Sequence, residues 1–512
     1  MKKAILFYII FFNFWVGCSS SQTEMLVPRS PTISPDYSGI TIPPNIAPLN
    51  FRIEEKGTQY KVEIQGSYGA PIKIFRKSPI IKIPMKAWKN FLSLNRGNSY
   101  KIEIAIKDSL GNWLRFSPII NQIALDSIDS YIAYRRLGPL YTYWKKMGIY
   151  QRCIENFEES PILINRLTQE NCINCHNFFS NNPEKWLLHL RRGPGTAMLL
   201  VLGNDVYKID TRTAFNQAPV AYPAWHPSGN LIAFSINKLL LFYHSIGEPR
   251  DVLDRASDLL IYDIPSNTIT TDSQIANQNR MENWPTWSAD GKYLYFSSAP
   301  KLETYEDPSQ KELAYNKIQY DLMRIPFEEK TKTWGKLELV LSASKVGGSI
   351  NQPRVSPDGN FVLFTVSAYG NFPVYLSSSD LYLLNLSSGE TKKLELNTEY
   401  TESFHSWSSN SRWIVFSSKR MDHLFSRPYF AYIDKEGNVS KPFILPQKNP
   451  SYYETCLENF NVPEFIKKPV RFSPKNLAKS AYKKPIQANL DPKLTPTQKK
   501  EEEKPTWVPH PQ

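Results

Sequence analysis

Cys172, Cys175 and His176, in the stretch NCINCHNF, are the residues whose types and spacing point most directly to chemistry. Cys-x-x-Cys-His is the attachment pattern of a c-type haem: two thiols add to the two vinyl groups, and the next imidazole binds the iron. One turn of helix over the motif is expected to set the thiols apart correctly. A zinc site would want four ligands in paired clusters, and the sequence has no second CxxC. A thioredoxin-like dithiol would want a βαβ frame, which the surrounding pattern lacks. A plain CxxC disulfide stays open beside haem c. For the far side of the iron, His189 in KWLLHLRRGPG is the favoured ligand, ahead of the Gly193-Pro194-Gly195 turn. Met198 and an open position are the alternatives. Arg191 and Arg192 complement the charge of haem propionates.

The compartment suits such a group. Lys2 and Lys3 precede an apolar run from Ala4 to Val16, of signal-peptide length and too short to stay as a spanning helix. The run ends in WVGC, and serines follow. This resembles a bacterial lipobox, although Trp15 stands where the pattern usually has Leu. The resemblance implies that the mature chain starts at lipidated Cys18 and hangs from a membrane by acyl chains, with residues 1–17 as signal peptide and 18–48 as a Pro/Ser/Thr-rich tether. The expected location is the cell envelope, anchored to the outer membrane.

Further along, period-2 strands repeat. YPAWHPSGNLIAFS (222–235), WPTWSADGKYLYFSS (284–298), QPRVSPDGNFVLFTVS (352–367) and FHSWSSNSRWIVFSS (404–418) each carry an anchor, Trp225, Trp287, Val355 or Trp407, then a polar turn and a second strand. A repeat of this length with Gly/Asp turns predicts propeller blades, since each sheet must bury its faces on its neighbours. His226 falls in a turn where the other repeats carry Ser and reads as structural. The repeats resemble the PD40/WD40-like units of TolB-type propellers, over about residues 186–447. The resemblance implies about six blades, with closing strands from before 186 or after 447, and a propeller with its closing segment over 186–472. Prolyl oligopeptidases carry a similar propeller, but their hydrolase domain needs a G-x-S-x-G elbow and alternating strands and helices, and nothing of that kind follows here.

The fold class is therefore mainly β, with a small β-sandwich ahead of the propeller. Alternation over residues 49–125 predicts that sandwich, fibronectin-III-like, and 126–185 reads as a connecting segment that carries the CxxCH motif. Cys153 and Cys456, in the echoing contexts CIENF and CLENF, are an expected disulfide. Formal net charge is +13, much of it in a Pro/Lys-rich stretch expected to be a disordered tail over 473–512. A basic tail outside the cytoplasm points to lipid, glycan or protein and away from nucleic acid.

The ordered layout YQR, FEE, CINCH, HLR over 150–191 is similar to a group of Bacteroidetes-type lipoproteins with one CxxCH segment ahead of a TolB-like propeller. That implies one covalent haem c and a redox partner protein or membrane complex, in electron transfer or as a redox accessory subunit. No catalytic triad or carboxylate pair is readable, so an electron carrier is expected over an enzyme. The alternative is a propeller scaffold that binds protein or glycan, with the CxxCH carrying no haem.

Overall fold

Strand sequences in this chain alternate small or polar with aromatic or branched residues, so each strand offers a buried face to a sheet on either side. In the computed structural model, residues 24–138, 146–192, 195–242, 251–301 and 315–494 are described. The signal segment, Cys18, the Gly193-Pro194 pair, His244, His510 and the end of the tail lie outside them. The described chain is mainly β, and none of its helices is long and apolar enough to cross a membrane.

The N-terminal part holds a seven-stranded sheet and a three-stranded sheet. It starts earlier than the alternation indicated. Strands Glu24–Val27, Ile33–Ser34 and Thr41–Ile42 lie inside the expected tether. Glu24–Val27 pairs in parallel with Trp113–Phe116, and Ile33, Tyr37, Ile40, Ile42 and Ile46 join the core. The prolines and serines of this stretch hid a regular set of isoleucines. A helix, Met85–Leu94, buries Trp88, Phe91 and Leu92 on the same core, so the unit is not an all-β fibronectin-type sandwich.

Six further sheets follow, in a β-propeller-like arrangement. Five run in chain order, each starting from one innermost strand: Cys172–Phe178, Ala221–Trp225, Arg280–Trp287, Ser349–Val355 and Glu402–Trp407. The sixth is composite. Tyr131–Leu137, Met147–Cys153 and Glu159–Ile164 are its outer strands, and its fourth strand is Asn459–Ile466, more than three hundred residues later. The stretch 126–185 is therefore no connector: it supplies three strands of the sixth sheet and the first strand of the first. Each innermost strand touches the next, and Asn459–Ile466 touches both Glu402–Trp407 and Cys172–Phe178.

The tail boundary also moves. Pro474–Ala481 is a helix capped by Ser473, with Leu477, Ala478 and Ala481 buried against the first sheet's core. Ile486–Gln487 and Asn489–Leu490 then add edge strands to the first and second sheets. Lysine content masked a short amphipathic helix whose apolar side is enough to dock it. Its Ala481 carbonyl also accepts from buried Lys208 Nζ at 2.7 Å.

Candidate functional site

The six innermost strands share one local distortion. Two residues stand opposite one residue of the neighbouring strand at 175–176, 222–223, 284–285, 352–353, 404–405 and 462–463, so the pairing slips by one. The first residue of each slip has left-handed backbone: Cys175, Tyr222, Trp284, Gln352, Phe404 and Val462, with φ between 47° and 53°. Six side-chain-bearing residues in this sparsely allowed region cost energy that the surrounding sheets must supply. Such bulges bend a strand and re-aim its side chains. The second residue is proline in four cases, Pro223, Pro285, Pro353 and Pro463, and histidine in two, His176 and His405. Proline fits there because a bulge leaves its position without a ladder bond to donate. Asn174 and Asn461 hold their bulges by accepting from the next backbone N–H at 2.8 and 2.9 Å.

The CxxCH motif is thus part of the repeat. NCHNF, AYPAW, NWPTW, NQPRV, SFHSW and NVPEF align position for position (174–178, 221–225, 283–287, 351–355, 403–407 and 461–465). The repeat anchors at Trp225, Trp287, Val355 and Trp407 sit at the last place of four of these pentapeptides. Extending the alignment one residue to the left, and to Phe178 and Phe465, was the signal that would have found the bulges.

The motif occupies the strand Cys172–Phe178, where a helical turn was expected. Its two histidine candidates face opposite ways. The His176 ring lies edge-on to Phe178 at 6.1 Å, and its Nε2 is 4.0 Å from Glu464 Oε2 of the sixth sheet. His189, opposite Asn174 in register, turns its ring to Phe234 of the second sheet at 5.8 Å. Met198 pairs directly with His189 and packs in the same cluster as Phe234. Neither His189 nor Met198 can therefore meet His176 across one iron. The reason is the pleat: the bulge sends His176 to the sixth-sheet side, and register keeps His189 on the second-sheet side. Both rings are fully buried, and burial first, then the charge of Arg135 or Arg191, pushes each imidazole down to about 3. His405 behaves alike, down to about 3 by burial and then by Arg354. His176 and His405 each sit against the backbone of the left-handed residue on the preceding sheet, Val462 and Gln352.

The thiols lie apart from that ring. Arg191 Nη2 approaches Cys175 Sγ at 3.9 Å and also donates to the Val220 carbonyl at 3.2 Å, so it is not a free propionate partner. Burial pushes the Cys172 thiol up, against Arg135 and Arg191, which leaves it a poor nucleophile at neutral pH. The strand position and the opposed imidazoles do not fit a c-haem held between His176 and either His189 or Met198. Among the described residues no cluster of His, Cys, Asp and Glu has metal-binding geometry. Cys153 and Cys456 are separate thiols, contrary to the expected disulfide. Cys153 ends a strand opposite Tyr131, and the Cys456 thiol turns back onto the Tyr452 hydroxyl at 3.7 Å.

The bulges surround a cavity of about 170 Å³ lined by Trp284, Gln352, Phe404 and Val462, by His176, and by Arg354 and Glu464. Trp284 stacks on Tyr222 with ring centroids 3.6 Å apart, and its indole N–H donates to the Asn371 carbonyl at 3.0 Å. Glu464 accepts from the Phe178 N–H at 2.9 Å and Asn177 Nδ2 at 3.0 Å, yet burial pushes its carboxyl up to about 8. The Arg354 guanidinium faces Glu464 and His405. Sequence reading singled out none of these four bulge residues, nor Arg354 or Glu464.

No family model matches the chain, and no curated protein matches it. Among solved structures it is similar to an oligogalacturonate lyase in complex with manganese, at 12% identity and a TM-score of 0.32, over 61% of this chain and 72% of that one. It is also similar to a puromycin-hydrolysing peptidase of Mycobacterium tuberculosis (11%, TM-score 0.30, 55% of this chain). A third is prolyl oligopeptidase B from Galerina marginata bound to a 25mer macrocyclization substrate (11%, TM-score 0.31, 54% of this chain). The match spans 39% of each peptidase.

Proposed function

We propose that this chain is a non-catalytic binding scaffold of the cell envelope, a closed six-bladed propeller on a lipid anchor at Cys18, with a CxxCH that carries no haem. Closure is supported by the contacts of Asn459–Ile466 with the innermost strands of both the fifth and the first sheet. The observation that carries the binding reading is the sixfold bulge. It accounts for Cys175-His176 as one instance of a structural repeat, and four of its residues, Trp284, Gln352, Phe404 and Val462, line one space together with His176. Such a space draws its lining from five of the six sheets and can hold a ligand. The ligand class expected from the basic, extracytoplasmic sequence is protein or glycan, with no nucleic acid.

The test is maturation of the full chain in a strain that expresses the c-haem attachment machinery. The expected result is no α-band in a pyridine haemochrome spectrum and no haem stain in a denaturing gel. A stained band that disappears in the Cys172→Ala, Cys175→Ala double variant would restore the electron-transfer reading with a redox partner. For the anchor, Cys18→Ala is expected to move the protein from the membrane fraction to the soluble fraction, since a lipid is the only attachment the sequence supplies. A variant that stays in the membrane fraction would assign attachment to a partner or to the basic tail.

A further inference from the structure

The cavity within the bulges is built for one kind of guest. Its polar lining offers donors at Gln352 and Arg354. Gln352 fixes its amide by accepting the Phe404 N–H on Oε1 at 2.8 Å, and its buried Nε2 has no partner. Gln352 and His176 both line the cavity and are 3% exposed. Arg354 adds a guanidinium. Unpaired buried polar atoms cost free energy that a complementary ligand would recover. The remaining walls are rings and apolar groups, Trp284, Phe404, Trp407 and Val462. Size is the second constraint. The 170 Å³ space is close to an engineered protein cavity of about 150 Å³ that holds a benzene molecule. One six-membered ring fits this space.

We propose that this cavity binds a small ring carboxylate, with the carboxylate on Arg354 and Gln352 and the ring against Trp284 and Phe404. Guanidinium–carboxylate pairing supplies the strong, directional contact, and the aromatic walls supply the apolar face that sugar rings and aromatic rings share. Glu464 does not compete for Arg354 below about pH 8, where burial keeps it protonated. The inference deepens the scaffold reading and rests on it, because a haem on Cys172 and Cys175 would occupy the same strand.

Isothermal titration of the full-length protein in detergent tests it, at about pH 7, with glucuronate and benzoate as probes and glucose and benzyl alcohol as uncharged controls. At least one carboxylate is expected to bind while its uncharged control binds at least about 10-fold more weakly. A glucuronate preference assigns a sugar acid, and a benzoate preference assigns an aromatic acid. Arg354→Met is expected to weaken the preferred probe by about 10- to 100-fold, with Arg354→Lys intermediate. Urea midpoints of both variants separate lost binding from lost folding. In case Arg354→Met fails to fold, Gln352→Leu provides a second variant that removes a donor and leaves the charge, with a smaller expected loss. No binding of either carboxylate at about 10 mM, or equal binding by Arg354→Met, overturns the proposal. The haemochrome spectrum of the same preparation tells the two failures apart. An α-band sinks the scaffold reading, whereas a haem-free protein that ignores both acids sinks only the cavity assignment.

Discussion

Truncation after Glu458 is expected to abolish cooperative folding of the whole chain, including sheets hundreds of residues away. The cut removes Asn459–Ile466, the one strand that joins Tyr131–Leu137 to the rest of its ring, and the helix Pro474–Ala481. Phe460, Phe465, Ile466, Val470 and Leu477 are all buried and would all be lost. At about 2 kcal/mol for each large apolar side chain the loss is on the order of 10 kcal/mol, as much as the whole stability of a typical domain. Hydrogen bonds go with it. Asn459 Oδ1 accepts the Ser426 N–H at 2.9 Å, and Glu464 holds the Phe178 N–H. The edge of Tyr131–Leu137 would then be left unpaired and open to aggregation. Urea unfolding followed by tryptophan fluorescence checks this. A truncated chain that stays soluble and unfolds in one sharp transition would show that ring closure is not what stabilises the sheets. Truncation after Leu494, which removes only residues beyond the last described strand, is the control expected to keep the full-length midpoint.

Several levels of this architecture were legible in the sequence, and others were not, for reasons that differ residue by residue. The second to fifth sheets were readable because Trp225, Trp287, Val355 and Trp407 recur before alternating strands. The first and sixth sheets were harder, since their innermost strands carry Cys175-His176, inside a haem-type motif, and Val462-Pro463, inside an expected closing segment without a Trp anchor. Pairing of Tyr131–Leu137 with Asn459–Ile466 spans more than three hundred residues, and no local pattern encodes such a pairing. The lining of the cavity was invisible for another reason. Arg354, Glu464 and Gln352 come from the fourth and sixth sheets and meet only because bulges aim them inward. The helical turn expected over Cys-x-x-Cys-His is a strand instead, and its left-handed Cys175 leaves the His176 ring beside Phe178 while the His189 ring meets Phe234.

Stability is expected to be level between about pH 4.5 and 6.5 and to fall on both sides, and the two slopes have separate owners. His176, His189 and His405 are held near 3 by burial, below the ordinary value of about 6.5. In the folded chain they stay neutral, while the unfolded chain takes up their protons below about 6.5. Their contribution is therefore present above 6.5 and is lost progressively as pH falls toward 3. Three buried acids act in the opposite sense. Burial raises Glu282 and Glu464 to about 8 and Asp254 to about 7. Asp254 shifts upward even though Asn237, Asn283 and Asn371 all donate to its Oδ2, because desolvation outweighs three amide bonds. The folded chain keeps these protons after the unfolded chain has released them near 4, so their contribution is present at low pH and is lost as pH rises toward 8. Between about 4.5 and 6.5 the folded state holds three extra acid protons and the unfolded state three extra histidine protons, so the two slopes cancel. Above 6.5 only the acids remain, and each contributes up to about 1.4 kcal/mol per pH unit until it ionises. Urea midpoints of the full-length protein at pH 5.5, 7 and 8 read this directly, with the midpoint falling at each step. Glu464→Gln keeps the acceptor for the Phe178 N–H without the titrating proton, so its midpoint is expected to match that of the unaltered protein near pH 4 and to exceed it by a margin that widens from pH 5.5 to pH 8. A midpoint that is unchanged from 5.5 to 8, or a Glu464→Gln variant that tracks the unaltered protein throughout, would mean that Glu464 ionises inside the folded ring, with Arg354 as its partner.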